Sequence, residues 1–158
     1  MENRSLIVIT VTRWLKGFLL LYGIYIVLYG HLTPGGGFSG GVIIACAFIL
    51  LTLAEGRQKS SHTLNTSTVS VLDSLGALGF LGIAIAGVVV GGSFFKNFIV
   101  TDPSNHFNLF SAGAIPLSNI AIALKVGMSV FLVFIVLSAL HVKIKDGERE
   151  MVERGDKE

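Results

Sequence analysis

Four long apolar runs, separated by short polar or glycine-rich breaks, constrain this chain more than any other feature. A helix crossing the hydrocarbon layer of a bilayer needs roughly 20 mostly apolar residues. Hydrocarbon offers the backbone no hydrogen-bond partner, so such runs satisfy their peptide groups internally, as helices. The runs read as spans over about 9–29, 38–54, 69–90 and 116–140. The expected fold is therefore all-α: an integral membrane bundle of four transmembrane helices within 1–140, followed by a charged tail over 141–158. Only 14% of the residues are charged, against about 25% in soluble domains, which leaves no stretch for a separate soluble domain. The tail mixes both signs and reads as a solvated helix or a frayed end. The first run reaches Tyr29 and ends in Gly-His-Leu-Thr-Pro, not in a small-residue cleavage site, so it reads as a retained helix.

The basic residues give a direction. Arg4, Arg13 and Lys16 sit at the N-terminal end, Arg57 and Lys59 in the second break, and Lys143, Lys145, Arg149, Arg154 and Lys157 in the tail. The first break has no Lys or Arg and the third has only Lys96. The positive-inside rule then puts both termini and the second break in the cytoplasm, as in a multi-pass protein of the cytoplasmic membrane. A net charge of +2 carries no sign of nucleic-acid binding.

The break Gly35-Gly36-Gly37-Phe38-Ser39-Gly40 imitates a dinucleotide-binding fingerprint, with Glu55 at a suitable distance. That fingerprint needs a preceding strand within a βαβ unit, and here an apolar helix precedes it. Two readings of these glycines stay open. Gly36/Gly40 and Gly37/Gly41 are small residues at helical spacing that let the second helix pack closely on its neighbours. The break could also leave backbone groups open beside His31 and line part of an ion path, since irregular backbone at membrane depth is tolerated where it faces protein or water. In the third span, Gly76, Gly79, Gly82, Gly87 and Gly91 suggest a helix buried among neighbours. The segment 91–114 holds Phe94, Phe95, Phe98, Phe107 and Phe110, as a loop at the interface or against a partner would.

Lys125 is the first candidate for function. It lies about ten residues into the fourth span, and intramembrane ionisable groups pair, face a cavity or relay protons. Asn119 precedes it by six residues. Asp73 and Glu55 both read as lying nearer the cytoplasmic side, so Lys125 is expected to find its carboxylate on another chain. His31, near the outer interface, is either a hydrogen-bonding interfacial residue or a titrating gate for protons. His106 is a weaker case of the same kind, and His62 and His141 read as solvated. Cys46 is the only cysteine, which excludes an internal disulfide; it reads as a small buried packing residue. No His, Cys and carboxylate cluster suits a metal, and no nucleophile stands beside a base. No cofactor and no catalytic residue are expected.

The run Gly30-His31-Leu32-Thr33-Pro34-Gly35-Gly36-Gly37-Phe38-Ser39-Gly40-Gly41 resembles the signature of the MnhB family, the B subunit of Mrp-type multisubunit cation/proton antiporters. The exit of the second helix, Leu50 to Gly56, and the four-span layout resemble it too. The resemblance implies a small, non-catalytic subunit beside large proton-pumping subunits, in a complex exchanging Na+ for H+. It makes Gly30, His31, Pro34, Gly35, Gly36, Gly37, Phe38, Gly40 and Gly41 the motif residues. Lys125, His31, Asn119 and Glu55 are then the candidates for an ion path. Relatives of the module also occur in archaeal membrane-bound hydrogenases, where the subunit's role would be structural. Many bacterial members carry an acidic residue near the start of the fourth helix. The segment Gly113-Ala114-Ile115-Pro116-Leu117-Ser118-Asn119 has none, which leans toward the hydrogenase-type relatives.

Overall fold

The computed structural model describes residues 5–56, 65–99, 112–145 and 148–153. It is built on four long helices: α1 Leu6–Tyr29, α2 Gly37–Glu55, α3 Thr66–Gly91 and α4 Ala114–Ala139. Each starts one to three residues before the span read from the sequence. All four are long and apolar enough to cross a membrane, with mean hydropathy of 1.5, 2.2, 2.1 and 2.7 over their most apolar windows. This is an all-α multi-pass membrane protein.

The helix ends follow from local chemistry. Asn65 caps α3, its side-chain oxygen accepting from the Ser67 N–H at 3.4 Å. Gly92 ends the same helix in the left-handed conformation, its N–H returning to the Val88 carbonyl. Between α1 and α2 the chain turns tightly. Leu32 and Thr33 donate their N–H groups to the Tyr29 carbonyl at 2.9 and 3.0 Å. Gly35 and Gly36 then take φ values of 144° and 113°, which side chains with a Cβ rarely adopt.

The helices pack as an open row. α1 lies against α2, α2 against α4, and α4 against α3. The inner positions are the more covered: 39% of the α2 window is buried, against 6% of the α1 window. Small residues set the spacing of the row. A side chain at Gly40 would run into Val27 and the Gly23 carbonyl of α1, and one at Gly41 would meet the Ala123 carbonyl of α4. Gly37 abuts the backbone of Asn119, and Gly76 of α3 abuts the backbone of Lys125. Backbones this close gain dispersion contacts along the whole line of approach. At one end α2, α3 and α4 share a core of Val69, Met128 and Phe131, with Phe48 standing edge-on to Phe131 at 6.1 Å between ring centroids.

Three expectations are corrected. The tail is not a helix where it is described: Leu140–Lys145 (β1) and Glu148–Glu153 (β2) form an antiparallel hairpin. Its first strand alternates apolar and polar residues. The register sets Lys143 opposite Glu150 and Lys145 opposite Glu148. Cys46 is exposed, not buried, because its position on α2 faces neither α1 nor α4. Within this chain α3 is covered along the side that meets α4 and, near its C-terminal end, by Phe95 and Lys96, while Gly82 has open space around it. The expectations for His62 and His106, and for Phe107 and Phe110 in the third break, lie outside the described residues. So does the side chain of His141.

Candidate functional site

Lys125 projects from α4 toward α3. Gly76 removes the side chain that would hold the two helices apart at that level. From there the lysine reaches one turn along both helices, to Asp73, three residues before Gly76, and to Ser129, four residues after Lys125. Its ammonium donates to both carboxylate oxygens of Asp73, at 2.8 and 2.7 Å, and to the Ser129 hydroxyl at 3.1 Å. Ser129 in turn donates to Oδ1 of Asp73. Charge-assisted bonds of this kind are the strongest available to side chains.

Lys125 therefore has a carboxylate inside its own chain, which corrects the expectation that the partner must come from another chain. Asp73 lies only seven residues into α3, and the length of the lysine side chain bridges the difference in depth. Sequence reasoning missed Asp73 and Ser129 as members of the cluster, although both carried signals. Asp73 is an ionisable residue inside a span, and Ser129 stands four residues from Lys125, on the same helix face.

The other candidates lie elsewhere. Asn119 is six residues from Lys125, and that spacing turns it to a different face of α4. Its side-chain oxygen accepts from the Gly37 N–H at 3.3 Å, so it satisfies a free donor at the start of α2. Ser39 donates to the Gly36 carbonyl in the same turn. His31 is half-buried just past the end of α1, and Gly30 leaves room for the Gly36 backbone to close over it. Pro34 and Phe38 are exposed. Glu55 sits at the opposite end of α2 from the motif turn, where the Arg13 guanidinium meets it at 2.6 and 2.7 Å. Glu55 is mostly covered, with 10% of its side chain exposed, while Arg13 stays 57% exposed. The four ion-path candidates thus form three separate places: a motif turn with Asn119 and His31, the Lys125 cluster, and the Arg13–Glu55 pair. Among the described residues, no three His, Cys, Asp or Glu side chains gather as a metal site would require.

The glycine-rich turn and the helices around it match a known family pattern, described as a domain related to the MnhB subunit of Na+/H+ antiporters, over residues 7–132. This chain belongs to the MnhB family. That stretch of the MnhB fold takes in the motif turn, the Arg13–Glu55 pair and the Lys125 cluster. A protein of Staphylococcus aureus (strain Newman) named as an antiporter subunit, mnhB2, is 34% identical over 101 residues, covering 64% of this chain and 71% of that one. An uncharacterised protein of Methanocaldococcus jannaschii is 44% identical over 108 residues, or 66% of this chain. The match spans only 41% of that relative's length. Among solved structures, a chain of the membrane-bound sulfane sulfur reductase, an archaeal respiratory membrane complex, is similar with a TM-score of 0.71 and 32% identity. The similarity covers 86% of this chain and 60% of that one.

Proposed function

We propose that this chain is a non-catalytic membrane subunit of a monovalent cation/proton antiporter, or of an antiporter-like module in a larger complex. In that role it packs against the pumping subunits and lends charged groups to the ion path. The observation that carries the reading is the Lys125–Asp73–Ser129 cluster, set between two apolar helices of an MnhB-family chain. Ionisable groups at that depth are expensive, and they commonly mark ion pathways and proton relays. The cluster is also a natural point of coupling. A proton or an alkali cation arriving near Asp73 weakens its hold on Lys125, and the freed ammonium changes the local potential. Na+ and H+ are the ions expected, and both termini are expected in the cytoplasm.

The deciding experiment is Asp73→Asn and Lys125→Met, each introduced into the assembled complex, with sodium-dependent proton exchange measured in vesicles and subunit stoichiometry checked in parallel. Intact assembly with exchange lost supports a role in the path. Intact assembly with normal exchange overturns that role.

A second reading has one specific observation behind it. The similarity to a chain of a respiratory membrane complex fits a purely structural subunit of a redox-driven assembly. Under that reading the same variants lose assembly or change nothing. Iron–sulfur subunits co-purifying with the chain in mild detergent would identify such a host.

A further inference from the structure

We infer that the α3–α4 face carrying Asp73, Lys125 and Ser129 is a docking surface for a transmembrane helix of another subunit. That helix would bring a hydrogen-bond donor to the depth of Asp73. The inference rests on the proposed place of this chain in a multisubunit complex.

The first ground is exposure at depth. Asp73 lies seven residues into α3, roughly 10 Å from its start, and Lys125 lies roughly 16 Å into α4, close to its middle. A 26-residue helix is ~39 Å long, so both positions fall within a hydrocarbon layer of ~30 Å. Yet 43% of the Lys125 side chain and 25% of the Asp73 side chain are uncovered by this chain. The row of helices is open, and α3 has α4 as its helical neighbour. Lipid tails cannot solvate an ion pair left open in this way.

The second ground is the pattern of bonds already made. The ammonium has three protons, and it has three acceptors within reach: the two Asp73 oxygens and Ser129. The carboxylate has about four acceptor positions. Oδ1 accepts from Lys125 and Ser129, while Oδ2 accepts from Lys125. These three bonds leave the carboxylate about one acceptor position unused, so the complementary partner is a donor. Ser74 points the same way, because its hydroxyl proton goes to the Ser70 carbonyl and its oxygen is left to accept. The third ground is shape. Ser70 and Ala77, one turn to either side of Asp73, are small and exposed, and small residues let a second helix approach closely.

The test uses the full complex with Cys46→Ala, since Cys46 is exposed and would react. Ser70→Cys or Ala77→Cys is then added and loaded with a photoreactive thiol cross-linker. Irradiation is expected to shift the band of this chain by the mass of another subunit. In unloaded samples, a membrane-impermeant thiol reagent is expected to leave both cysteines unlabelled until the complex is denatured. Adducts with lipid alone overturn the inference. Rapid labelling by the impermeant reagent overturns it as well, in favour of a water-filled path. A chain that purifies without any other subunit overturns the subunit reading itself, whereas co-purification without a cross-link overturns only the assignment of this face.

Discussion

An ammonium group at the centre of a membrane helix costs about 3 kcal/mol on insertion scales, and Lys125 offsets that cost with Asp73 and Ser129. Removing one partner is therefore worse than removing both. Asp73→Leu is expected to destabilise the protein by about 3 kcal/mol, because it strands the charge. The double variant Asp73→Leu with Lys125→Met should recover most of that loss. Thermal midpoints of the detergent-purified proteins check the order, and a double variant no better than Asp73→Leu would contradict it. The Arg13–Glu55 pair behaves differently. With Arg13 largely in solvent, Arg13→Ala should cost no more than about 1 kcal/mol, and the difference should shrink at high salt. Melting in low and high salt reads this directly. At this scale the sequence disclosed Lys125 by its position alone. It did not disclose the pairing, since that depends on the helix spacing that Gly76 permits.

Among the elements, the glycines divide into those that touch a neighbour and those that do not. Gly40→Ala should push α1 and α2 apart, at a cost of about 1–3 kcal/mol, because the new methyl meets Val27 and the Gly23 carbonyl. Gly82→Ala meets nothing within 4 Å and should stabilise α3 by about 0.5–1 kcal/mol through lost backbone freedom. Equal shifts in thermal midpoint for the two would count against the packing described. Asn119→Ala should remove the oxygen that holds the Gly37 N–H, costing about 1 kcal/mol, while Asn119→Asp keeps an acceptor there. The small-residue faces of α2 were legible from i, i+4 spacing, since that spacing fixes which residues share a side of a helix. Asn119 was noticed for its polarity, but its role as a cap formed across helices was not, because local sequence carries no trace of a partner 82 residues away. The hairpin after α4 also has a local signal in the sequence. Asp146-Gly147, flanked by alternating residues, is a strong short-range hairpin signal.

For the whole molecule, an open row of helices means that much apolar surface waits for lipid or protein. Large residues such as Trp14, Phe18 and Leu21 on α1, and Leu78 and Val89 on α3, are each more than three-fifths exposed. Purified alone, the chain should melt at a lower temperature than within its complex and should self-associate as detergent is lowered; size-exclusion profiles with and without the other subunits check this. The basic residues also predict an orientation. A protease site placed before Arg4 should be cut in inside-out vesicles and protected in right-side-out ones.

The four apolar runs alone require that the chain cross the membrane as four helices, because hydrocarbon leaves such a run no other way to satisfy its backbone. Its glycine-rich turn also marked the family. Which helices are neighbours, and therefore which charges meet, depends on the packing in three dimensions. A helix presents side chains in every direction, and the sequence does not say which direction a neighbour will occupy. Packing through Gly37, Gly41 and Gly76 placed α4 between α2 and α3. That placement turned Lys125 from a residue in search of a partner into one end of an ion pair with Asp73.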